Sequence, residues 1–469
     1  MSSSVSPKES RPARPSKDTR GRPEEPLPPS AISDDINTTN VTSEVPYTTK
    51  ATFDEVNASA GTLSSTNKTS DALKPSPSTP ASTSIPTLGT SSSSSSTPPS
   101  LSSSTSKDRR FPLPYSGDPA SPLYAPFSLM NPFWHKAPVW GQLPTRPMRA
   151  HTATLIEGRD GAAIWVFGGC DQKNCFRDVW KLDLGKVWTK PKLRGAHPPS
   201  LRAHSATYIP PFSSPARIPP STPPPTSTHG HILVFGGGDG PSYFNDTYLL
   251  DLARHEWSKP AVSGHVPSPR RAHTAVWYEA KKWVVLFGGG NGSRALNDTL
   301  VLDCADWEKL NWVKLDTKGA KPRLRGYHTM NLVGDKVVVF GGSDGVECFS
   351  DVFVLDLDTL TWSQVALFEP SLHCPRLSHS STLVSPSHLL ILGGHDGTQY
   401  QSSLVLFDMA AGQFAARQHS GMPPSERGYH SAVAWQGKVV LLGGYDGKHH
   451  FDDTWVLEVG VMPELMGYS

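Results

Sequence analysis

Cysteine is scarce in this 469-residue chain, and long apolar runs are missing altogether. The five cysteines, Cys170, Cys175, Cys304, Cys348 and Cys374, are odd in number and follow no framework spacing. Reduced thiols are therefore expected rather than a disulfide scaffold. There is no C-x-x-C or HExxH spacing, and neighbours along the chain such as His449 and His450 rarely converge on one ion, so no metal or other cofactor is expected. No run reaches the ~18 apolar residues that span a bilayer, and the start lacks the apolar core of a secretory signal. With 44 Lys+Arg against 42 Asp+Glu, no cationic excess is available to drive nucleic-acid binding. These absences point to a cytoplasmic protein, reaching as far as the cell cortex, whose partners are other proteins.

What is abundant is uneven. Residues 1–110 are dominated by Ser, Thr and Pro, as in "STPASTSIPTLGTSSSSSSTPPS". Such a segment cannot bury enough apolar surface to offset its ordering entropy, so it reads as a disordered tail. Residues 111–132 read as a linker, 133–460 as the folded domain, and 461–469 as a C-terminal tail.

Within the domain a double glycine recurs, at Gly168, Gly236, Gly288, Gly341, Gly393 and Gly443, with steps of 68, 52, 53, 52 and 50. A period near 50 is the mark of a repeat array. The long step is accounted for by a proline-rich insertion at 210–230, "PPFSSPARIPPSTPPPTSTHG". Each unit carries an arginine shortly before a histidine ("MRAHT", "RGYHS"), an apolar run into the glycines, an alternating stretch such as "DVFVLDL", and a lone aromatic. Short β-branched segments between turn residues give four strands per unit, a to d.

The phase of the pattern shows how the array ends. Trp188, Trp257, Trp312, Trp362 and Phe414 each precede the next unit's histidine by 16 or 17 residues. Counting back 17 from His151 gives Trp134, whereas the last unit stops after "DTWVLEV" without its aromatic. The N-terminal strand is thus the missing fourth strand of the last unit. It closes a ring and leaves no exposed edge.

These residues together resemble the kelch repeat, which implies an all-β, six-bladed β-propeller closed by an N-terminal strand. The departures are local: Gln172 for a glycine, Ser403 for an aspartate and Phe414 for a tryptophan. "VVVFGGSDG", Val337 to Gly345, then reads as a tight turn and not as a phosphate loop, because every copy leads into another strand. Asp344 is expected to bond the local backbone as an Asx turn.

Features common to all units read as architecture, and differences between units as function. On that basis Arg149, Arg202, Arg271, Arg325, Arg376 and Arg427, with their histidines, are expected to tie blades together; the competing reading is that arginines ringing a propeller mouth suit acidic ligands through bidentate hydrogen bonds. The residues that vary lie on the loops between strands b and c, the end that the resemblance associates with protein binding: Lys173, Asn174, Tyr243, Arg294, Glu347, Gln399, Tyr400, Tyr445, Lys448, His449 and His450. Rigid turns carrying aromatics and Arg suit binding hot spots. A second set of motifs is linear. Arg217-x-x-Pro220-x-x-Pro223 in the insertion, opposite the tip face, matches an SH3-ligand pattern, as does Arg20-x-x-Pro23-x-x-Pro26 in the tail. Ser6-Pro7, Ser76-Pro77, Thr79-Pro80 and Thr97-Pro98 fit proline-directed phosphorylation.

The reading is a non-enzymatic interaction scaffold or adaptor in signalling, cell polarity or vesicle traffic. The resemblance also implies two alternatives. A copper radical oxidase of the galactose oxidase type would need export and paired Tyr/His ligands. A ubiquitin-ligase substrate adaptor would need a BTB-like or F-box-like helical segment, and none is read here. The closure itself can be tested by truncation. Deleting residues up to Phe111 should leave the thermal midpoint nearly unchanged, whereas deleting through Val139 should unfold or aggregate the protein. Equal melting of the two truncations would remove Trp134 from the ring.

Overall fold

The computed structural model describes residues 131–459, apart from 159–160, 185, 213–229 and 369–370. The tail, both SH3-ligand motifs (with Arg217, Pro220 and Pro223), the Ser/Thr-Pro sites and residues 461–469 lie outside that set. The described chain forms six β-sheets arranged as propeller blades, each with four antiparallel strands, and one two-stranded hairpin, Gly238–Asp239 with Ser242–Tyr243, at the tip of blade 2. Blade 4 shows the plan. Strands Thr329–Val333, Lys336–Phe340, Val352–Asp356 and Thr361–Gln364 pair in sequence order, with Phe340 opposite both Thr329 and Val352. The two central strands are apolar and buried almost throughout, because both faces of a blade pack on neighbouring blades. Accordingly the six apolar clusters each lie between two adjacent blades.

The ring closes as the phase predicts. Phe133–Lys136 pairs antiparallel with His450–Glu458, placing Trp134 opposite Leu457. Trp134 is buried among Leu441, Trp455 and Leu457. The chain termini of the domain therefore share one blade.

Five of the blades carry a fifth, outermost strand that the four-strand expectation lacks. Trp140–Gly141, Arg194–Gly195, Ser263–Gly264, Lys318–Gly319 and Ser420–Gly421 each run parallel to strand d. The segment linking one blade to the next clips onto the outer edge before entering strand a. Its glycine is required: at Gly319 (φ +81°) a Cβ would lie 2.1 Å from the Trp362 carbonyl oxygen. That same carbonyl accepts the Ala320 N–H at 3.1 Å. The sequence signal is a glycine nine or ten residues before each histidine, with Pro370 in its place in blade 5.

Around the axis runs a closed circuit of six backbone hydrogen bonds. The N–H of Ala203 donates to the Ala150 carbonyl, Ala272 to Ala203, Tyr327 to Ala272, Ser378 to Tyr327, Tyr429 to Ser378 and Ala150 to Tyr429, all at 2.8–2.9 Å. Every one of these residues has φ between +51° and +58°, although none is glycine. Each immediately precedes its blade's histidine.

The histidines form the next layer outward. The Nε2 atoms of His204, His273, His328, His379 and His430 share hydrogen bonds of 2.7–3.0 Å with Thr152, Ser205, Thr274, Thr329 and Ser380 of the preceding blade. At the closure the pattern changes: Ser431 Oγ donates to the His151 carbonyl at 2.9 Å. The double glycine makes room for these rings. A Cβ on Gly341 would meet His379 Cε1 at 3.0 Å, and one on Gly342 would meet His328 Cβ at 2.8 Å.

Burial holds these imidazoles neutral. It pushes His151 down to about 4, His204 and His430 to about 3, and His273, His328 and His379 well below the ordinary value. In the unfolded chain each histidine takes up a proton at about pH 6.5. Between that value and the folded one the unfolded state holds more protons, so stability is complete above about 6.5 and declines as pH falls toward 4. The slope is about 1.4 kcal/mol per pH unit for each histidine. Thermal midpoints followed by circular dichroism should drop progressively from pH 7.5 to 4.5. An unchanged midpoint from pH 7 to 5 would contradict the neutral ring.

Candidate functional site

The six arginines expected to form one structural set belong to two. The distinction is whether the arginine stands three residues or two residues before the histidine. At the first position are Arg270, Arg325, Arg376 and Arg427, all nearly inaccessible to solvent. Arg325 shows what they do. Its carbonyl accepts the Gly289 N–H of blade 3 at 2.9 Å. Its guanidinium grips both oxygens of Asp351 in blade 4 at 2.6 and 3.0 Å and the Gly341 carbonyl at 2.8 Å. One residue thus staples two blades through a bidentate, charge-assisted pair. Arg270 and Arg427 repeat this with Asp298 and Asp453, and Arg376 reaches Ser403 Oγ at 2.7 Å. Blades 1 and 2 have Met148 and Leu201 at this position, and there Lys190 and Lys259 pair with Asp178 and Asp246 instead.

Arg149, Arg202 and Arg271 stand at the second position and turn to the tip end of the central axis. Each begins a row of three residues paired across short strands. In blade 1, Arg149 and Cys170 exchange backbone hydrogen bonds, and Cys170 faces Cys175. The corresponding rows are Arg202–Gly238–Tyr243, Arg271–Gly290–Ala295, Gly326–Ser343–Cys348, Leu377–His395–Tyr400 and Gly428–Tyr445–His450. Residues directly opposite across paired strands present their side chains on one face. Three rows are headed by a cation; of the other three, the rows of blades 5 and 6 each carry two rings and that of blade 4 carries none.

Each of these arginines leans over the row of the preceding blade. Arg149 lies 4.3 Å from the centre of the Tyr445 ring and 5.7 Å from that of Tyr429. Arg271 lies 4.4 Å from Tyr243 and donates to the Gly240 carbonyl at 2.9 Å. Arg202 reaches the Cys170–Cys175 row. Tyr327 and Tyr429, from the axial circuit, meet edge to face at 5.4 Å. The ring contacts continue through Tyr400–Tyr445 and His395–Tyr400. Burial raises the phenols of Tyr327, Tyr400 and Tyr429 above the ordinary range. The tyrosines therefore face the mouth as neutral phenols.

Neither Arg149 nor Arg202 has a carboxylate partner among the described residues, and the buried Nε of Arg202 has no hydrogen-bond partner there. Arg149 is held by the Tyr445 and Tyr429 rings and by Cys170, and Arg202 by Cys170. That thiol is drawn below its ordinary range by the Cys175 thiol and by Arg149 and Arg202, against the opposing effect of burial.

The tip residues named from sequence divide between two surroundings. Lys173, Asn174, Arg294, Glu347, Gln399, Lys448 and His449 are exposed on the outer turns. Their backbone is fixed by Asx turns: Asp344 Oδ1 accepts from Val346 and Glu347, and Asp171, Asn291, Asp396 and Asp446 act alike. Tyr243, Tyr400, Tyr445 and His450 turn inward and line the mouth beside the arginines. Sequence reasoning placed Arg149, Arg202 and Arg271 with the architecture, keeping acidic-ligand binding as their alternative role, and did not name Tyr327 or Tyr429. The available signal was the position of each residue counted from the histidine. No three His, Cys, Asp or Glu side chains converge as a metal-ligand set among the described residues. No helix among them is long and apolar enough to cross a membrane.

Six four-stranded units in phase, an N-terminal closing strand and a histidine layer behind paired glycines define a kelch β-propeller. Residues 226–372 and 368–463 match the KLHDC2/KLHL20/DRC7 Kelch-repeats domain, and the chain belongs to the kelch-repeat family. It is 25% identical over 300 residues to acyl-CoA-binding domain-containing protein 5 of Arabidopsis thaliana, covering 62% of this chain and 43% of that protein. It is 27% identical over 351 residues to human host cell factor 1 and 30% identical over 284 residues to human host cell factor 2. These matches cover 59% and 51% of this chain but 17% and 32% of those proteins. The chain thus spans less than half the length of these relatives.

The two arginine positions differ in what their loss should do. Arg325→Met strips Asp351 of its buried partner and should cost about 3–5 kcal/mol, read as a fall of several degrees in the thermal midpoint. Arg149→Met leaves no buried carboxylate unpaired and should shift the midpoint far less. Equal losses would erase the division.

Proposed function

We propose that this kelch propeller is a non-enzymatic protein-interaction module whose tip face docks carboxylate-bearing segments of other proteins in the axial mouth. The observation that carries the reading is the pair Arg149 and Arg202, partly buried at the mouth with no carboxylate partner among the described residues. A partly buried guanidinium with donors left unmatched is costly. A ligand carboxylate would relieve that cost through hydrogen bonds worth about 1.5–3 kcal/mol each.

The chemistry assigns roles on the surface. Arg149 and Arg202 receive the carboxylate. Tyr243, Tyr400 and Tyr445 offer ring faces to the adjoining side chains, and the exposed tips from Lys173 to His449 discriminate among partners at the rim. Tyr and Arg at the centre with charged residues outside is the arrangement that concentrates binding energy. Signalling, cell polarity and vesicle traffic are the settings we assign to such a scaffold, and substrate capture for a ubiquitin ligase would use the same mouth.

The test is a peptide array on purified full-length protein, with otherwise identical peptides carrying Asp/Glu, Asn/Gln or amidated ends. Acidic peptides should bind selectively, and Arg149→Met with Arg202→Met should weaken them by roughly 10- to 100-fold. Arg294→Ala, Tyr400→Ala and His449→Ala together should alter which peptides bind. Equal binding of neutral and acidic peptides, or no loss in the double variant, would place the docking surface elsewhere.

A further inference from the structure

Blade 1 is the one blade in which both residues of the mouth-facing cross-strand pair are cysteines. Asp171 N–H donates to the Asn174 carbonyl at 3.0 Å and Phe176 N–H to the Gly169 carbonyl at 2.8 Å. Those bonds flank Cys170 and Cys175, which therefore form a non-hydrogen-bonded antiparallel pair. Such pairs place their Cα atoms about 4.5 Å apart with the side chains close together. A disulfide accommodates a Cα separation of about 4.4–6.8 Å. The pairing geometry thus falls within the range a disulfide accommodates.

The surroundings favour reaction at one sulfur. Arg149 is the direct cross-strand neighbour of Cys170 on its other side, and Arg202 leans over the row from blade 2. Asp239, from the adjacent tip, hydrogen-bonds Cys175 and favours its protonated form. These surroundings favour the thiolate at Cys170 and the thiol at Cys175. Cys170 itself is buried, and the half-exposed Cys175 connects the pair to the mouth, so the oxidant must be small. The corresponding cysteine of blade 4, Cys348, faces Ser343, and burial pushes its thiol up to about 12. It is an internal control.

We propose that Cys170 and Cys175 are a redox modification site, a dithiol that a small hydroperoxide converts to a disulfide within the docking mouth. The Cys170 thiolate attacks one peroxide oxygen and the O–O bond breaks. The sulfur gives up two electrons to become a sulfenic acid, and the other oxygen leaves as hydroxide. Cys175 then attacks the Cys170 sulfur, the S–O bond breaks, and the oxygen departs as water with the Cys175 proton. One peroxide is reduced for each disulfide formed.

Oxidation also changes the electrostatics of the mouth. It consumes the thiolate beside Arg149 and Arg202, so the two guanidiniums lose their nearest anion. An acidic peptide should then bind several-fold tighter to the oxidised form. This coupling rests on the docking reading above, whereas disulfide formation does not.

The experiment exposes purified full-length protein to stoichiometric hydrogen peroxide, followed by alkylation and mass spectrometry of proteolytic fragments. Expected is a loss of about 2 Da confined to the fragment containing residues 170–175 and reversed by dithiothreitol. In Cys175→Ser, a sulfenic acid trapped by dimedone should accumulate on Cys170. In Cys170→Ser, Cys175 should react at least roughly tenfold more slowly than that. Circular dichroism confirms that both variants fold. Full alkylation of Cys170 and Cys175 after peroxide, or dimedone capture at Cys348 before Cys170, would overturn the proposal. Disulfide formation with unchanged peptide affinity would overturn the coupling alone.

Discussion

The constraint on which the rest depends is the circuit of six backbone hydrogen bonds about the axis. Each blade supplies one residue in the left-handed conformation whose N–H meets the carbonyl of the blade before it. A non-glycine residue in that conformation costs about 1–2 kcal/mol, and a backbone hydrogen bond returns about 0.5–1.5 kcal/mol net. The circuit therefore adds little stability. What it does is set geometry, because a hydrogen bond of fixed length repeated six times fixes the spacing of the blades. The left-handed turn also separates two fates along the chain. The histidine after it enters the layer between blades, and the residue before it heads a row at the mouth.

Stability comes from contacts that recur at each interface between blades. Phe167, Phe235, Phe287 and Phe340 pack on the next blade's histidine and on its strand-d aromatic, at 4.8–5.5 Å. Where the repeat departs from its pattern, a neighbour compensates. Phe414 fills the tryptophan position against Phe340 and Phe407. Ser403 accepts from Arg376 where aspartate is absent. Lys190 and Lys259 neutralise the aspartates left unpaired by Met148 and Leu201. Interfaces maintained in this way leave the mouth free to vary, since these recurring contacts lie outside the rows.

How much was legible in the sequence follows from the dimension of each signal. The blade count, the pairing of Trp134 with the last blade and the Asx turns at the tips depend on spacing along the chain, and spacing survives without coordinates. The fifth strand was missed because it is marked by a single glycine, which only its fixed distance from the histidine distinguishes from an ordinary loop glycine. The arginines were merged because "RAH" and "RGYH" look alike until both are counted from the histidine. Arg270-Arg271 carries both positions side by side. The mouth was harder still. It is assembled from residues five apart across a tight turn, in six copies, and its character appears only when the copies are set around an axis.

That assembly explains why the mouth can stay charged. Three of the propeller's arginines are held by bidentate carboxylates, and Arg376 gives its two terminal nitrogens to a carbonyl and a hydroxyl oxygen. Arg149 has aromatic faces and a thiol instead, and Arg202 a thiol. An aromatic face stabilises a guanidinium by about 0.5–2 kcal/mol, enough to position it and too little to satisfy its donors. A carboxylate in the same place would have removed the attraction for any acidic partner. By stacking Arg149 on Tyr445 and leaving Arg202 Nε unmatched among the described residues, the fold keeps a preorganised cation at its centre. Preorganisation lowers the cost of docking because the receiving groups lose little freedom when a ligand arrives. The rigid circuit beneath the mouth makes that possible, since a flexible support would let the arginines fold back onto whatever anion lay nearest.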